Sequence, residues 1–229
     1  MAIIGVIAGA GCAPEVNVPG WAEQMLTRSG TDTYRVTAAP EGLVVTMPAT
    51  NSPESNTRSL LFRPDTEPSS DQQVCLTATH DGDLTQEGVA LRISRDDGRI
   101  RAITVTRNVF AGGTSWYNLH VWDTALGGAV PATLLSSTDM TAALPTDAAT
   151  PRRMCARVEG ARLTFKVWTA ALPEPEWTDP VHTATVELPP ETVREGIPGL
   201  YIGHLRPGWS ATLDGVTMTP VERSDEAAA

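Results

Sequence analysis

The run SWYNLHVWD, Ser115 to Asp123, alternates flat aromatic rings with hydrogen-bonding side chains. On an extended strand successive side chains point to opposite faces. Trp116, Asn118, His120 and Trp122 would therefore share one face, and Tyr117, Leu119 and Val121 the other. The second set reads as core. The first suits a sugar, whose C–H faces pack on aromatic rings while its hydroxyls need directional polar partners. Trp168, Trp177, Tyr201, His204 and Trp209 add further aromatic and imidazole groups on other strands or loops. The candidate glycan-contacting set is Trp116, Asn118, His120, Trp122 and Trp209. The competing assignment is that several of these tryptophans fill a core or a subunit interface, where Trp is equally at home.

Catalytic chemistry has less to build on. Hydrolysis of a glycosidic bond needs two carboxylates flanking it. No strand carries them in an E-x-D-x-x-E run, and Asp123 and Asp214 stand alone. The nucleophile motif G-x-S-x-G and the zinc motif H-E-x-x-H are missing. The four histidines, His80, His120, His182 and His204, are scattered. No catalytic residue is expected; an atypical glycoside hydrolase is the alternative. Asp81, Asp83 and Glu87 place three carboxylates in one loop, a candidate for Ca²⁺, which takes six to eight oxygens. Ordinary turn chemistry also accounts for that loop. No other cofactor is implied.

Three cysteines remain to be placed. Cys75, in QQVCLTAT, and Cys155, in RRMCARVE, each lie on the side of their strand opposite the apolar residues. If the two strands are neighbours, that shared parity lets the thiols meet as a cross-strand disulfide. The alternative is two separate buried thiols. A disulfide would imply an oxidising, extracellular setting. Cys12 closes Ala8-Gly9-Ala10-Gly11-Cys12, a loose match to a lipobox, so residues 1–20 are either a lipoprotein-like signal or an apolar assembly contact.

These groups need strands to hold them. The chain has 229 residues, with 19 Gly and 18 Pro, a composition suited to many short strands joined by turns. Its net charge of −10 argues against nucleic acid or anionic membranes as general partners. No apolar run reaches the ~20 residues of a membrane span. Alternation marks strands near Thr31–Ala39, Gly42–Met47, Arg58–Phe62, Gln72–Thr79, Val89–Ser94, Arg99–Arg107, Ser115–Asp123, His182–Leu188, Gly199–Leu205 and Ser210–Thr219. Asp97-Gly98 signals a tight hairpin. Arg152 to Trp168 reads as another, turning at Gly160. The pattern predicts an all-β, two-sheet antiparallel sandwich over residues 21–221, followed by a polar tail, 222–229.

The order CARVEG-ARLTFKVW, a proline-rich loop with Trp177, GLYIGH and ATLDGVTM resembles the end of a concanavalin A-like (laminin G-like) jelly roll. Such domains recur in actinobacterial secreted proteins and in actinobacteriophage tail proteins; RAITVTRNVF, NLHVWDT and GLYIGHLRPG are most similar to the phage versions, and the resemblance spans roughly Val74 to Thr219. It implies a non-enzymatic structural or host-attachment component of a virion, working outside the cell. Its partners would be envelope glycans or cell-surface polysaccharide, together with other tail chains or further copies of itself. A bacterial surface lipoprotein anchored at Cys12 is the alternative setting.

Overall fold

The computed structural model describes residues 15–49, 56–81, 85–108, 110, 115–145 and 151–221. Cys12, Asp83 and the tail 222–229 lie outside the described residues. The described chain is almost entirely extended. Its strands are β1 (Glu15–Val16), β2 (Ala22–Thr27), β3 (Arg35–Ala39), β4 (Gly42–Thr46), β5 (Arg58–Phe62), β6 (Gln72–His80), β7 (Gln86–Asp96) and β8 (Arg99–Arg107). The second half adds β9 (Trp116–Asp123), β10 (Ala132–Asp139), β11 (Arg152–Glu159), β12 (Arg162–Thr169), β13 (Thr183–Glu187), β14 (Ile197–Gly203) and β15 (Ser210–Pro220). Two 3-10 turns, Thr124–Leu126 and Pro190–Thr192, are the helical elements.

Two sheets result. One has eight strands in the order β1-β3-β4-β15-β6-β11-β12-β13, the other seven in the order β10-β9-β8-β7-β14-β5-β2. Pairing is antiparallel except for the short β1–β3 contact. This is a two-sheet, almost wholly antiparallel β-sandwich, as the strand pattern predicts. Leu43, Val45, Val74, Leu76, Phe165, Val167 and Leu213 of one sheet meet Leu61, Val89, Ile103, Val105, Leu119 and Ile202 of the other in the main core. Every second residue of each strand supplies it, so the alternation seen in the sequence is the layer structure itself.

The turns behave as their residues require. Asp97 and Gly98 both adopt positive φ, 47° and 80°, closing the β7–β8 hairpin, and Gly160 (φ 55°) closes β11–β12. Cys75 and Cys155 are direct register partners on β6 and β11 and form the expected disulfide, with Cα atoms 4.0 Å apart. Disulfides persist in oxidising compartments, so the pairing fits an extracellular or lumenal setting. Among the described residues no helix is long and apolar enough to cross a membrane.

Buried charges tie the two ends of the sandwich. At one end a bulge in β7 puts Arg92 at φ 51° and turns its guanidinium inward. There it donates to the carbonyls of Ser70 (2.7 Å), Thr192 (3.0 Å) and Gly160. At the other end Glu87 lies between Arg107 (3.2 Å) and Arg152 (3.6 Å). Burial pushes the Glu87 carboxyl up, but Arg107, Arg152 and His80 outweigh it and hold the group below the usual carboxylate range.

Candidate functional site: the outer face of the seven-stranded sheet

Register shows which side chains share the face turned away from the core. Across β10, β9, β8, β7, β14, β5 and β2 one row reads Ser137, Asn118, Thr106, Gly88, Tyr201, Leu60 and Gln24. The next reads Leu134, His120, Thr104, Ala90, Gly199, Phe62 and Ala22. Asp139 faces Trp116 at one edge, and Ala132, Trp122 and Ala102 form a further row. Trp116, Asn118, His120 and Trp122 therefore do share one face, and it is an outer one. Small residues occupy the middle of the sheet, with larger ones on either side.

This face has its own apolar layer. Leu60, Phe62, Ala90, Ala102, Trp122 and Tyr201 pack into a second cluster, separate from the inter-sheet core. Trp122 is only 2% exposed. Its Nε1 donates to Thr104 Oγ1 at 2.9 Å, and its ring lies 6.2 Å from that of Tyr201. It presents no open face on which a sugar could stack, which departs from the platform role the sequence suggests for it. The cause is lateral: Leu60, Phe62 and Tyr201 arrive from β5 and β14 and enclose the indole.

Trp116, Asn118 and His120 remain partly exposed. Ser137 donates to Asn118 Oδ1 at 2.7 Å and Asn108 Nδ2 does so at 3.4 Å, leaving the Asn118 amide to donate. His120 Nδ1 is shielded and has no hydrogen-bond partner. Burial, and secondarily Arg58, lower the His120 pKa to about 4, so the ring is neutral at physiological pH. Thr106 Oγ1, on the buried floor beside Asn118, also has no partner.

Across the sheet stands a second polar group. The Tyr201 hydroxyl donates to Gln86 Oε1 at 2.8 Å. A Cβ at Gly203 would lie 2.8 Å from that hydroxyl and 3.2 Å from Arg58 Cγ, so glycine there is what lets Arg58 lie beside Tyr201. Arg58 Nη1 donates to Thr27 Oγ1 at 3.1 Å and to Asn56 Oδ1. At the sheet end Phe110, 69% exposed, stands edge-on to His204 with ring centroids 5.2 Å apart. His204 itself holds φ 59°, an unusual conformation for a residue with a Cβ. Arg58, Gln86, Thr106, Asn108 and Phe110 were not singled out from the sequence. Strand parity would have placed Arg58 with Leu60 and Phe62, but no local pattern links it to β9.

The other candidates lie elsewhere. Trp209 precedes β15, in the other sheet, where it packs partly on the main core under Arg206, 5.4 Å away. Trp168 and Trp177 belong to the outer side of the eight-stranded sheet, interleaved with cations. Lys166 Nζ is 5.6 Å from the Trp168 ring and 4.4 Å from that of Trp177, while Arg153 and Arg157 cover Trp168 and Trp177 respectively. Asp81 accepts from Ser210 Oγ at 2.8 Å, whereas Glu87 is buried between guanidiniums that already neutralise it. These two carboxylates do not share a Ca²⁺-type cradle, and Asp83 is outside the described residues. Among the described residues no three His, Cys, Asp or Glu side chains converge as a metal site would require.

Comparison with known proteins places this geometry among β-sandwich modules. No family model matches the chain, and no curated protein does. Solved structures match along most of its length. A Bacillus subtilis protein of unknown function with a galectin-like fold is 12% identical over 89% of this chain and 90% of its own, with a TM-score of 0.55. The CBM2 module of the evolved Dit of Lactobacillus casei BL23 phage J-1 is 12% identical over 91% and 94%, with a TM-score of 0.54. Carbohydrate-binding module CBM66 from Bacillus subtilis is 14% identical over 90% and 99%, with a TM-score of 0.50. At such identities the likeness is one of fold.

Proposed function

We propose that this chain is a non-enzymatic glycan-binding module of a phage tail, acting outside the cell to attach the virion to envelope polysaccharide of its host. The observation that carries the glycan reading is the rim of the seven-stranded sheet. There an accessible indole, Trp116, adjoins a side-chain amide, Asn118, and a neutral imidazole, His120. Apolar stacking and hydrogen bonding are thus offered to one ligand from one strand. That CBM66 is a carbohydrate-binding module and that the evolved Dit module comes from a phage support the reading and its setting. A single shallow site of this kind binds weakly, and many copies on one particle would raise avidity through effective concentration.

A glycan array probed with the purified chain tests this. Binding is expected for the wild type and is expected to be lost in Trp116→Ala and Asn118→Ala with the thermal melt unchanged. Equal binding by wild type and both variants would overturn the assignment of the face. Immunogold labelling of virions with an antibody to the chain tests the tail setting, and unlabelled tails would overturn it.

A further inference from the structure

We propose that the glycan taken by this face is an acidic one, its carboxylate or phosphate held by Arg58. The proposal rests on the glycan reading above and adds the chemical class of the ligand.

The argument is one of unmatched charge. Several cations of the described residues have acidic partners: Arg107 and Arg152 share Glu87, Arg99 meets Asp123, Arg101 meets Asp96, Arg157 meets Glu159 and Lys166 meets Glu174, while Arg63, Arg95 and Arg206 lie over aromatic rings. Arg58 differs. Its hydrogen-bond partners are the neutral oxygens of Thr27, Asn56 and Tyr201, and among the described residues no carboxylate lies within ion-pair distance of it. Arg58 is half-buried, and its guanidinium sits beside the Tyr201 hydroxyl. A cation withdrawn from water without a counter-charge is costly, and an arriving anion would relieve that cost.

Among the described residues nothing nearby cancels the charge. Asp139, the acid that register places on this face, lies on β10, five strand positions from β5, and its carboxylate accepts from the Thr141 amide at 2.9 Å. Glu23 of β2 faces the opposite way, pairing with Leu61 in register and accepting from Ser59, and burial raises its pKa to about 7. Arg58 also acts on His120 at the far side of the sheet, lowering its pKa after burial has done so. Tyr201, Gln86, Thr106 and Asn118 contribute only neutral donors and acceptors. A planar fork of N–H groups suits a carboxylate or phosphate oxygen pair better than a sugar hydroxyl.

The test compares an oligogalacturonate with its own methyl ester, which keeps the sugar and removes the charge, and with a glycerol-phosphate oligomer, by calorimetric titration. Wild type is expected to bind at least one of the two anions about tenfold or more tighter than the ester. Which anion wins separates carboxylate from phosphate as the source. Arg58→Gln should abolish that preference while leaving binding of the ester, and Arg58→Lys, which keeps the charge without the fork, should retain part of it. If the ester binds as tightly as the anions and Trp116→Ala still abolishes binding, the glycan reading survives and the acidic class falls. Binding of none of the three by the folded wild type overturns both.

Discussion

Glu23 offers a direct test of how the edge of the seven-stranded sheet is built. Its Oε1 accepts from Ser59 Oγ, while Oε2 is cut off from solvent and has no partner. Burial raises its pKa from 4.5 to about 7, the Ser59 hydrogen bond pulling only weakly the other way. The fold thus prefers the protonated acid. Stability from this group is complete below about pH 4.5, falls as pH rises, and is gone once pH passes the folded value near 7. At ~1.4 kcal/mol per pH unit of displacement the full effect is about 3 kcal/mol, trimmed to about 2 because water reaches part of the side chain. Glu23→Gln keeps the acceptor for Ser59 and removes the titration. Urea unfolding of both proteins from pH 5 to pH 8 reads the effect. Glu87 and His120 titrate in the opposite sense, but they are present in both proteins and cancel in the difference. The variant should match wild type near pH 5 and exceed it by about 2 kcal/mol at pH 8. A difference that does not change with pH would refute a buried, neutral Glu23.

Four further perturbations separate framework from recognition surface. Replacing Cys75 and Cys155 together by Ala should cost about 2–4 kcal/mol of stability in denaturant titration under oxidising conditions, because the closed loop spans 80 residues. Trp122→Ala should destabilise by about 3–5 kcal/mol through the cavity left among Leu60, Phe62 and Tyr201. Trp116→Ala, by contrast, should change ligand binding with little effect on the melt. Arg92→Met should cost about 3–5 kcal/mol in the same assay, since the carbonyls of Ser70, Thr192 and Gly160 lose their donor.

Local alternation carried far into the fold because most strands here have one face on a single core. β5, β8, β9 and the β11–β12 hairpin start and stop within a residue or two of the expected positions. The disulfide was legible for the same reason: two parities, read separately, agree once β6 and β11 are neighbours. β10 was not. A register shift between Leu134 and Ser136 breaks its alternation, and as an edge strand it leaves Leu134 52% exposed, so neither period nor burial marks it. β2 likewise carries a shift between Met25 and Thr27. The site divides along similar lines. Parity correctly grouped Trp116, Asn118, His120 and Trp122, yet the burial of Trp122 depends on Leu60, Phe62 and Tyr201, which lie at least sixty positions away along the chain. Parity tells which face a side chain takes and is silent on what covers it.

An acidic ligand on a chain of net charge −10 would pose a problem of scale, which distance resolves. At physiological ionic strength charges separated by more than about 8 Å in water are largely screened. The surplus carboxylates of the surface therefore act weakly on a ligand already seated at the sheet, while a half-buried guanidinium at contact is screened far less. The outer face of the eight-stranded sheet shows what happens to cations when the fold uses them for itself. Arg153, Lys166 and Arg157 are interleaved with Trp168 and Trp177, and Lys166 Nζ also donates to the Pro175 carbonyl at 2.6 Å and pairs with Glu174. Those charges are consumed in holding the 170–182 segment against the sheet. Arg58 is held in place by neutral oxygens instead, which fix the guanidinium without cancelling its charge. The two outer faces thus put the same residue types to different ends, and the difference lies in what each cation is paired with.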